Sequence, residues 1–206
     1  MRKKSKKGST LKILKGRTLK RKAIKSMNIL SKIIGHLISI PARIKGMKFG
    51  KSSFIGPGYA MGPILKRIKL GNRVIIGRNA WFDISRYTKN AEINIGDGTQ
   101  IGRYFVISAC KNISIGKKCL LSYNVTIVDH DHDVLNPEIA PMDAGISEGK
   151  EIVIEDECFI CAHSFILKGV HLGKHCVIGA SSVVTKSFPA YSVIAGNPAR
   201  LIRKLK

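Results

Sequence analysis

The densest group of ionisable side chains in the sequence is the run Asp129-His130-Asp131-His132-Asp133. Imidazole is the side chain best matched to accept a proton near neutral pH, and a neighbouring carboxylate can orient it. In an extended stretch His130 and His132 lie on the same side, because side chains alternate along a strand. The run is therefore a candidate site of general-base catalysis, and a solvated polar loop is the alternative interpretation.

A regular repeat surrounds this run and must form the scaffold that positions it. Aliphatic residues recur at every sixth position, a period that neither a helix nor a simple strand produces. Many are followed by glycine, and a small residue comes four places after the aliphatic one. This pattern predicts triangular coils in which the aliphatic residue fills the prism, glycine permits the corner and the small residue fits where the faces converge. The longest series is Ile154, Ile160, Ile166, Leu172, Ile178 and Val184, and the small residues include Ala80, Thr99, Cys119, Cys158, Ser164, Cys176 and Ser182.

The period divides the chain into three parts. Residues 51–195 carry the repeats, and an excursion loop over residues 128–153 interrupts them without any six-residue period. Long ordered loops are usually functional. Residues 1–50 form a basic N-terminal segment, and residues 196–206 form a short basic tail. The prediction is an all-β parallel β-helix, in which strands of roughly six stacked coils pair in parallel ladders.

Charge is concentrated in the N-terminal part of the chain. Residues 1–82 contain 22 basic residues and no acidic one, and the whole chain has a net charge of +23. Apolar residues from Ile24 to Ile38 recur at helical spacing among lysines, which predicts a basic amphipathic helix ending near Pro41. Such a helix is too short to span a bilayer but suits the surface of an anionic membrane, and a packing helix with a solvated charged face is the alternative.

The location of the protein follows from the same segment. The apolar run is not followed by a small-residue cleavage site, so a secretory signal peptide fits poorly. Five cysteines in a chain without an export signal argue against a disulfide framework. We therefore expect a cytoplasmic protein whose residues 1–45 contact the inner face of an anionic membrane.

The repeats, the loop opening VDHDH and the closing run VIGASSVVTKSFPAYSVIAGNPARLIRKL resemble the hexapeptide-repeat acetyltransferases. That family includes galactoside, maltose and xenobiotic acetyltransferases and enzymes that modify bacterial surface polysaccharides. The resemblance implies a left-handed β-helix, a homotrimer with active sites between subunits, and direct attack of the acceptor on the thioester of acetyl-CoA. It also implies that His130 is the general base, with His132 as the alternative and either Asp129 or Asp131 orienting the ring.

The resemblance further implies where the donor binds. Pantetheine would lie along main-chain groups between coils, and basic residues near the C-terminus would contact the phosphates. The expected acceptor is a sugar hydroxyl of a surface polysaccharide or its precursor, while an amino-sugar, serine or antibiotic acceptor stays open. Mapped onto this chain, the pantetheine positions are Ala162 and Ala180, with Thr185 and Lys186 beside them, and the phosphate positions are Arg200 and Arg203.

Other functional classes fit the sequence less well. A zinc enzyme resembling the γ-class carbonic anhydrases would need a His five places after His163, where this chain has Lys168, and catalytic zinc requires three protein ligands. No metal is therefore expected. Nucleic-acid binding lacks stacking platforms, because residues 1–50 contain no Trp or Tyr and only Phe49. A non-catalytic β-helix that binds membrane or nucleic acid would not need the closing AGNPAR run.

Overall fold

The chain winds through three parallel sheets in turn, and each circuit forms one triangular coil. The computed structural model describes residues 29–206. We call the sheets faces A, B and C, in the order in which the chain visits them. Face A consists of β1 (Lys48–Phe49), β4 (Ile68–Leu70), β7 (Glu92–Ile95), β10 (Asn112–Ile115), β13 (Ile152–Ile154) and β16 (His171–Leu172).

The other two faces repeat this arrangement. Face C consists of β3 (Ala60–Met61), β6 (Trp81–Ile84), β9 (Val106–Ala109), β12 (Thr126–Val128), β15 (Phe165–Ile166) and β18 (Val183–Val184). Face B consists of β2 (Phe54–Ile55), β5 (Ile75–Ile76), β8 (Gln100–Ile101), β11 (Leu120–Leu121), β14 (Phe159–Ile160), β17 (Val177–Ile178), β19 (Ser192–Gly196) and β20 (Ala199–Lys204). All neighbours are parallel except the final pair, β19 and β20.

The interior of the prism is filled as the repeat predicts. The aliphatic residues stack in register from coil to coil, so that Ile95, Ile115 and Ile154 form one column. The inward small residues are buried as well, and Ser164 satisfies its hydroxyl by donating to the Gly179 carbonyl oxygen at 3.0 Å. Cys119, Cys158 and Cys176 occupy the same kind of slot as buried free thiols, which confirms that they are packing residues.

The glycine after each aliphatic residue has a different role from the predicted one. Gly102 does not adopt a positive φ, and the left-handed residue of its corner is Tyr104, with φ of 57°. A Cβ on Gly102 would instead lie 2.6 Å from the carbonyl carbon of Ser122 in the next coil. Glycine is therefore needed for the close approach of stacked backbones, and the bend itself falls two residues later.

Within the part of the chain that the structure describes, two short helices precede the first coil. Helix α1 spans Ile29–Ile38 and α2 spans Ile40–Ile44, with Pro41 in the first turn of α2, where its missing N–H is tolerated. The predicted helix thus ends at Ile38, just before Pro41, and its residues before Ile29 lie outside the described part. Residues 35–206 form one compact unit. Within that unit, buried Ser39 accepts a hydrogen bond from the Ile55 amide at 2.9 Å, so this stretch caps the open end of the prism.

The two long loops of the prism both leave it at the edge where the chain passes from face C to face A. They are Ser85–Ala91 and the excursion between Val128 and Ile152, and the short turn Cys110–Lys111 lies between them at the same edge. We call this the excursion edge. Because these loops depart from successive coils, residues distant in sequence are stacked beside one another there.

Candidate active site

Asp129 is the first residue of the excursion and is completely buried. One carboxylate oxygen accepts the backbone N–H of Cys110 at 2.7 Å, and the other accepts the N–H of Lys111 at 2.8 Å. Both donors belong to the turn of the preceding coil on the excursion edge. A buried carboxylate is tolerated when hydrogen bonds satisfy it, and here the stacked coil supplies them.

The same carboxylate orients the imidazole of His130. Nδ1 of His130 lies 2.9 Å from Oδ1 of Asp129, and only 13% of the His130 side chain is exposed. A carboxylate accepts hydrogen bonds and cannot donate them, so Nδ1 carries the proton and Nε2 of the neutral ring keeps its lone pair. This tautomer is the one that a general base requires.

His132 and Asp131 of the same run have different partners. His132 is exposed, and its Nδ1 lies 3.2 Å from the carbonyl oxygen of Gly145 within the loop. Asp131 forms an ion pair with Lys168, which belongs to the following coil. Of the two carboxylates that the sequence left open, Asp129 therefore contacts His130, while Asp131 ties the loop to the prism.

The residues proposed for the donor occupy two edges of the prism. Ala162 and Ala180 follow β14 and β17 at the edge between faces B and C, where the Ala162 carbonyl accepts the Ser181 N–H at 2.9 Å. Arg200 pairs with Ala195 in the antiparallel ladder of β19 and β20 and is therefore carried toward this B–C edge. Thr185 and Lys186 are exposed at the other end of face C, on the excursion edge.

Arg203 completes the predicted donor region, and Cys161 directly precedes Ala162 in the sequence. Arg203 is exposed on β20 opposite Val193. Cys161 follows Ile160 at the position that Gly102 and Gly179 occupy in other coils of this chain and is partly buried, with its N–H donating to the Ile178 carbonyl at 3.0 Å. Burial raises the pKa of the Cys161 thiol, which keeps it protonated near neutral pH.

Several residues of the site were not predicted from the sequence. The backbone amides of Cys110 and Lys111 hold Asp129, and Lys168 fixes the loop through Asp131. Amides carry no sequence signal of their own, and Lys168 stands out in the sequence only as the residue that breaks a zinc pattern. Within residues 29–206, no group of three His, Cys, Asp or Glu side chains is arranged to hold a metal ion.

Comparison with known proteins agrees with this architecture. Residues 151–186 match the family described as "Bacterial transferase hexapeptide (six repeats)". The chain is 31% identical over 160 residues to the galactoside O-acetyltransferase of Lactococcus lactis subsp. lactis, covering 77% of this chain and 73% of that protein. It is 32% identical over 118 residues to WbbJ of Escherichia coli K12, provisionally named a lipopolysaccharide biosynthesis O-acetyl transferase, covering 54% of this chain and 60% of WbbJ.

A solved structure supports the fold. The hexapeptide-repeat acetyltransferase VCA0836 of Vibrio cholerae, crystallised with acetyl-CoA, superposes with a TM-score of 0.57 at 20% identity over 87% of this chain and 91% of that chain. The predicted left-handed β-helix of hexapeptide repeats is thereby confirmed.

Proposed function

Because this chain belongs to the hexapeptide-repeat acetyltransferase family, we propose that it transfers acetyl from acetyl-CoA to a sugar hydroxyl, with His130 as the general base. The observation that carries the proposal is the hydrogen bond from Nδ1 of His130 to the buried Asp129 carboxylate. It leaves Nε2 as the free proton acceptor on a ring whose position is held from behind.

The proposed reaction needs one proton relay and no covalent enzyme intermediate. Nε2 of His130 takes the proton of the acceptor hydroxyl while the oxygen attacks the thioester carbonyl. The C–S bond then breaks, and the departing CoA sulfur takes the proton from the imidazolium as thiol. Buried Asp129 stabilises the transient positive charge on the ring, since an opposite charge in contact favours the protonated form.

For the donor, we propose that pantetheine lies along the B–C edge. Ala162 and Ala180 are stacked there with small side chains, which leaves main-chain groups accessible, and Arg200 is placed next to the following corner. Arg200 and Arg203 would contact the phosphates through charge-assisted hydrogen bonds. Thr185 and Lys186 lie on the excursion edge, so they would stand beside the pantetheine of a donor bound at the B–C edge of a neighbouring subunit in the proposed trimer. Cys161 makes this corner bulkier than glycine would.

The proposed acceptor is a sugar of a bacterial surface polysaccharide or its precursor. The relatives that support it are named for O-acetylation of galactosides and for lipopolysaccharide biosynthesis. An amino-sugar, serine or antibiotic acceptor is the alternative of the same reaction class.

We also propose a homotrimer. Faces B and C each have large apolar side chains that point outward to the surface. They include Leu120 and Phe159 on face B and Trp81 and Phe165 on face C. Leu120 and Phe159 are register neighbours in adjacent strands, and exposed apolar patches of this kind mark interaction sites. Sedimentation velocity should give three times the monomer mass, and Phe159→Asp should shift the protein toward monomer. A monomeric wild-type protein would contradict the proposal.

Contact with an anionic membrane from the cytoplasmic side is the proposed role of the basic segment. Among the described residues, no helix is both long and apolar enough to cross a bilayer. Leu37, Ile40 and Ile44 are nevertheless exposed beside Lys45 and Lys48. Apolar and basic side chains together suit the interface of an anionic leaflet.

The test of the enzymatic proposal is turnover. Purified protein with acetyl-CoA and a galactoside acceptor should release CoA and form an ester of the sugar, measured by chromatography and mass spectrometry. Isothermal titration should detect acetyl-CoA binding independently of any acceptor. Failure to bind acetyl-CoA at millimolar concentration would reject the proposed activity.

A further inference from the structure

A cavity of about 320 Å³ opens on the excursion edge, where three separate loops meet. Residues 87–89 form one wall, residues 146–149 form another, and Cys110 and Lys111 form the floor. We call it the edge cavity. Its volume is at the lower end of the range for small-molecule sites and suits one sugar ring.

The floor of the edge cavity is connected directly to His130. The Cys110 N–H and Nδ1 of His130 bind the same oxygen of Asp129, at 2.7 and 2.9 Å. The cavity floor and the proposed base are therefore two hydrogen bonds apart. His130 does not line the cavity, so a ligand there would lie on the Asp129 side of the ring, next to the base, and its hydroxyl would have to extend from the cavity to Nε2.

The walls are held by the scaffold. The Ser85 N–H donates to the Ala109 carbonyl at 2.8 Å, which continues the face C ladder into the first loop. Ser147 donates its N–H to the Asp131 carbonyl at 2.8 Å and so ties the second wall to the residue after His130. Gly149 permits this wall to approach, because a Cβ there would lie 3.1 Å from the Lys111 amide nitrogen.

The chemistry of the lining suits a sugar that carries negative charge. Tyr87 is 72% exposed and offers an aromatic face of the kind on which a sugar ring packs. The loop Ser85–Asn90 contains Arg86 and Lys89 and no acidic residue. Within residues 29–206, neither Arg86 nor Lys89 forms an ion pair, whereas Lys111 is paired with Glu148 at 3.5 Å.

We propose that the edge cavity binds the acceptor and that the loop Ser85–Asn90 selects acceptors bearing an anionic group. That group is the carboxylate of an acidic sugar or the phosphate of a sugar phosphate, since Arg and Lys bind both through charge-assisted hydrogen bonds. The inference rests on the proposed acetyl transfer and adds the class of acceptor and the residues that recognise it.

The kinetic test compares three probes. Methyl galactoside, galacturonate and galactose 1-phosphate represent a neutral sugar, a carboxylate and a phosphate. At least one anionic probe should have a higher kcat/KM than the neutral one, and Lys89→Gln should lower that value about fivefold, as expected for losing one partly exposed charge contact. Lys51→Gln, an exposed lysine on the edge between faces A and B, is the matched control. Preference for methyl galactoside, unchanged in Lys89→Gln, would overturn the proposal.

A second measurement does not depend on turnover. Cys110 lines the cavity, and burial together with the nearby Asp129 charge raises the pKa of its thiol, so iodoacetamide should modify it slowly. Galacturonate or galactose 1-phosphate should protect Cys110, as measured by peptide mass spectrometry, and Lys89→Gln should weaken that protection. Acetyl-CoA should protect Cys161 instead. If acetyl-CoA fails to protect Cys161 while an anionic probe still protects Cys110, the proposed donor site is wrong and the acceptor site stands. If no anionic probe protects Cys110, the proposed acceptor site is wrong.

Discussion

Replacing His130 by alanine removes the proposed base and should lower kcat by roughly 10²- to 10⁴-fold, the usual contribution of positioned proton transfer. This corresponds to about 3 to 5 kcal/mol of lost transition-state stabilisation. Binding of acetyl-CoA should change little, because Ala162 and Ala180 lie on the B–C edge rather than on the excursion edge.

The structure also sets the cost in stability. Asp129 is buried and keeps two backbone N–H donors when the imidazole is removed, so its charge stays partly satisfied. The loss of one hydrogen bond to a charged group should lower the free energy of unfolding by about 1.5 to 3 kcal/mol. A loop histidine outside the prism would be expected to cost almost nothing, so this value tests whether the Asp129 contact exists in solution.

A matched variant separates the two effects. In His130→Asn the side-chain amide can donate to Asp129 as Nδ1 does, but it cannot accept a proton at neutral pH. We therefore expect its stability to approach that of the wild type while kcat stays as low as in His130→Ala. Urea unfolding gives the first quantity, and chromatographic measurement of CoA release gives the second.

The control for position is His132→Ala, because His132 is exposed and its ring contacts the loop carbonyl of Gly145 rather than a buried carboxylate. Its turnover should remain close to the wild-type value. If His132→Ala loses turnover and His130→Ala keeps it, the base is His132 and the general mechanism survives. Full turnover in both variants would refute general-base catalysis by this loop.

Three further predictions concern the scaffold and the basic segment. Lys168→Met removes the partner of Asp131 and should lower kcat/KM severalfold. The unfolding free energy should change by no more than about 1 kcal/mol, since both side chains are partly exposed. A large loss of stability with unchanged kinetics would contradict a positioning role for Lys168. Gly102→Ala should destabilise the protein by about 1 to 3 kcal/mol in urea unfolding, because the added methyl would meet the backbone of the next coil; wild-type stability would show that the coils can separate at no cost. The double variant with Leu37→Ser and Ile44→Ser should sediment less with phosphatidylglycerol vesicles at unchanged turnover, and equal sedimentation would argue against membrane contact through this stretch.

The β-helix could be predicted from the sequence because its core depends on a local rule. Each six-residue repeat places an aliphatic side chain inward whatever its neighbours are, so the pattern by itself assigns Ile160, Leu172 and Cys176 to the interior, where all three are buried. The sequence pattern could not show why glycine follows the aliphatic residue. The limiting contact at Gly102 is with Ser122 of another coil, and a pattern within one repeat carries no information about the coil stacked on it.

The candidate site shows the same division. The density of charge, together with the family resemblance, was sufficient to nominate His130 from the sequence. The choice between Asp129 and Asp131 needed the amides of Cys110 and Lys111, which reach Asp129 because β9 and β12 are paired. The edge cavity likewise joins residues 87–89 to residues 146–149, which are far apart along the chain. These contacts follow from the register between coils and from the shared edge at which the loops leave, and both are properties of the stacked prism rather than of any single segment.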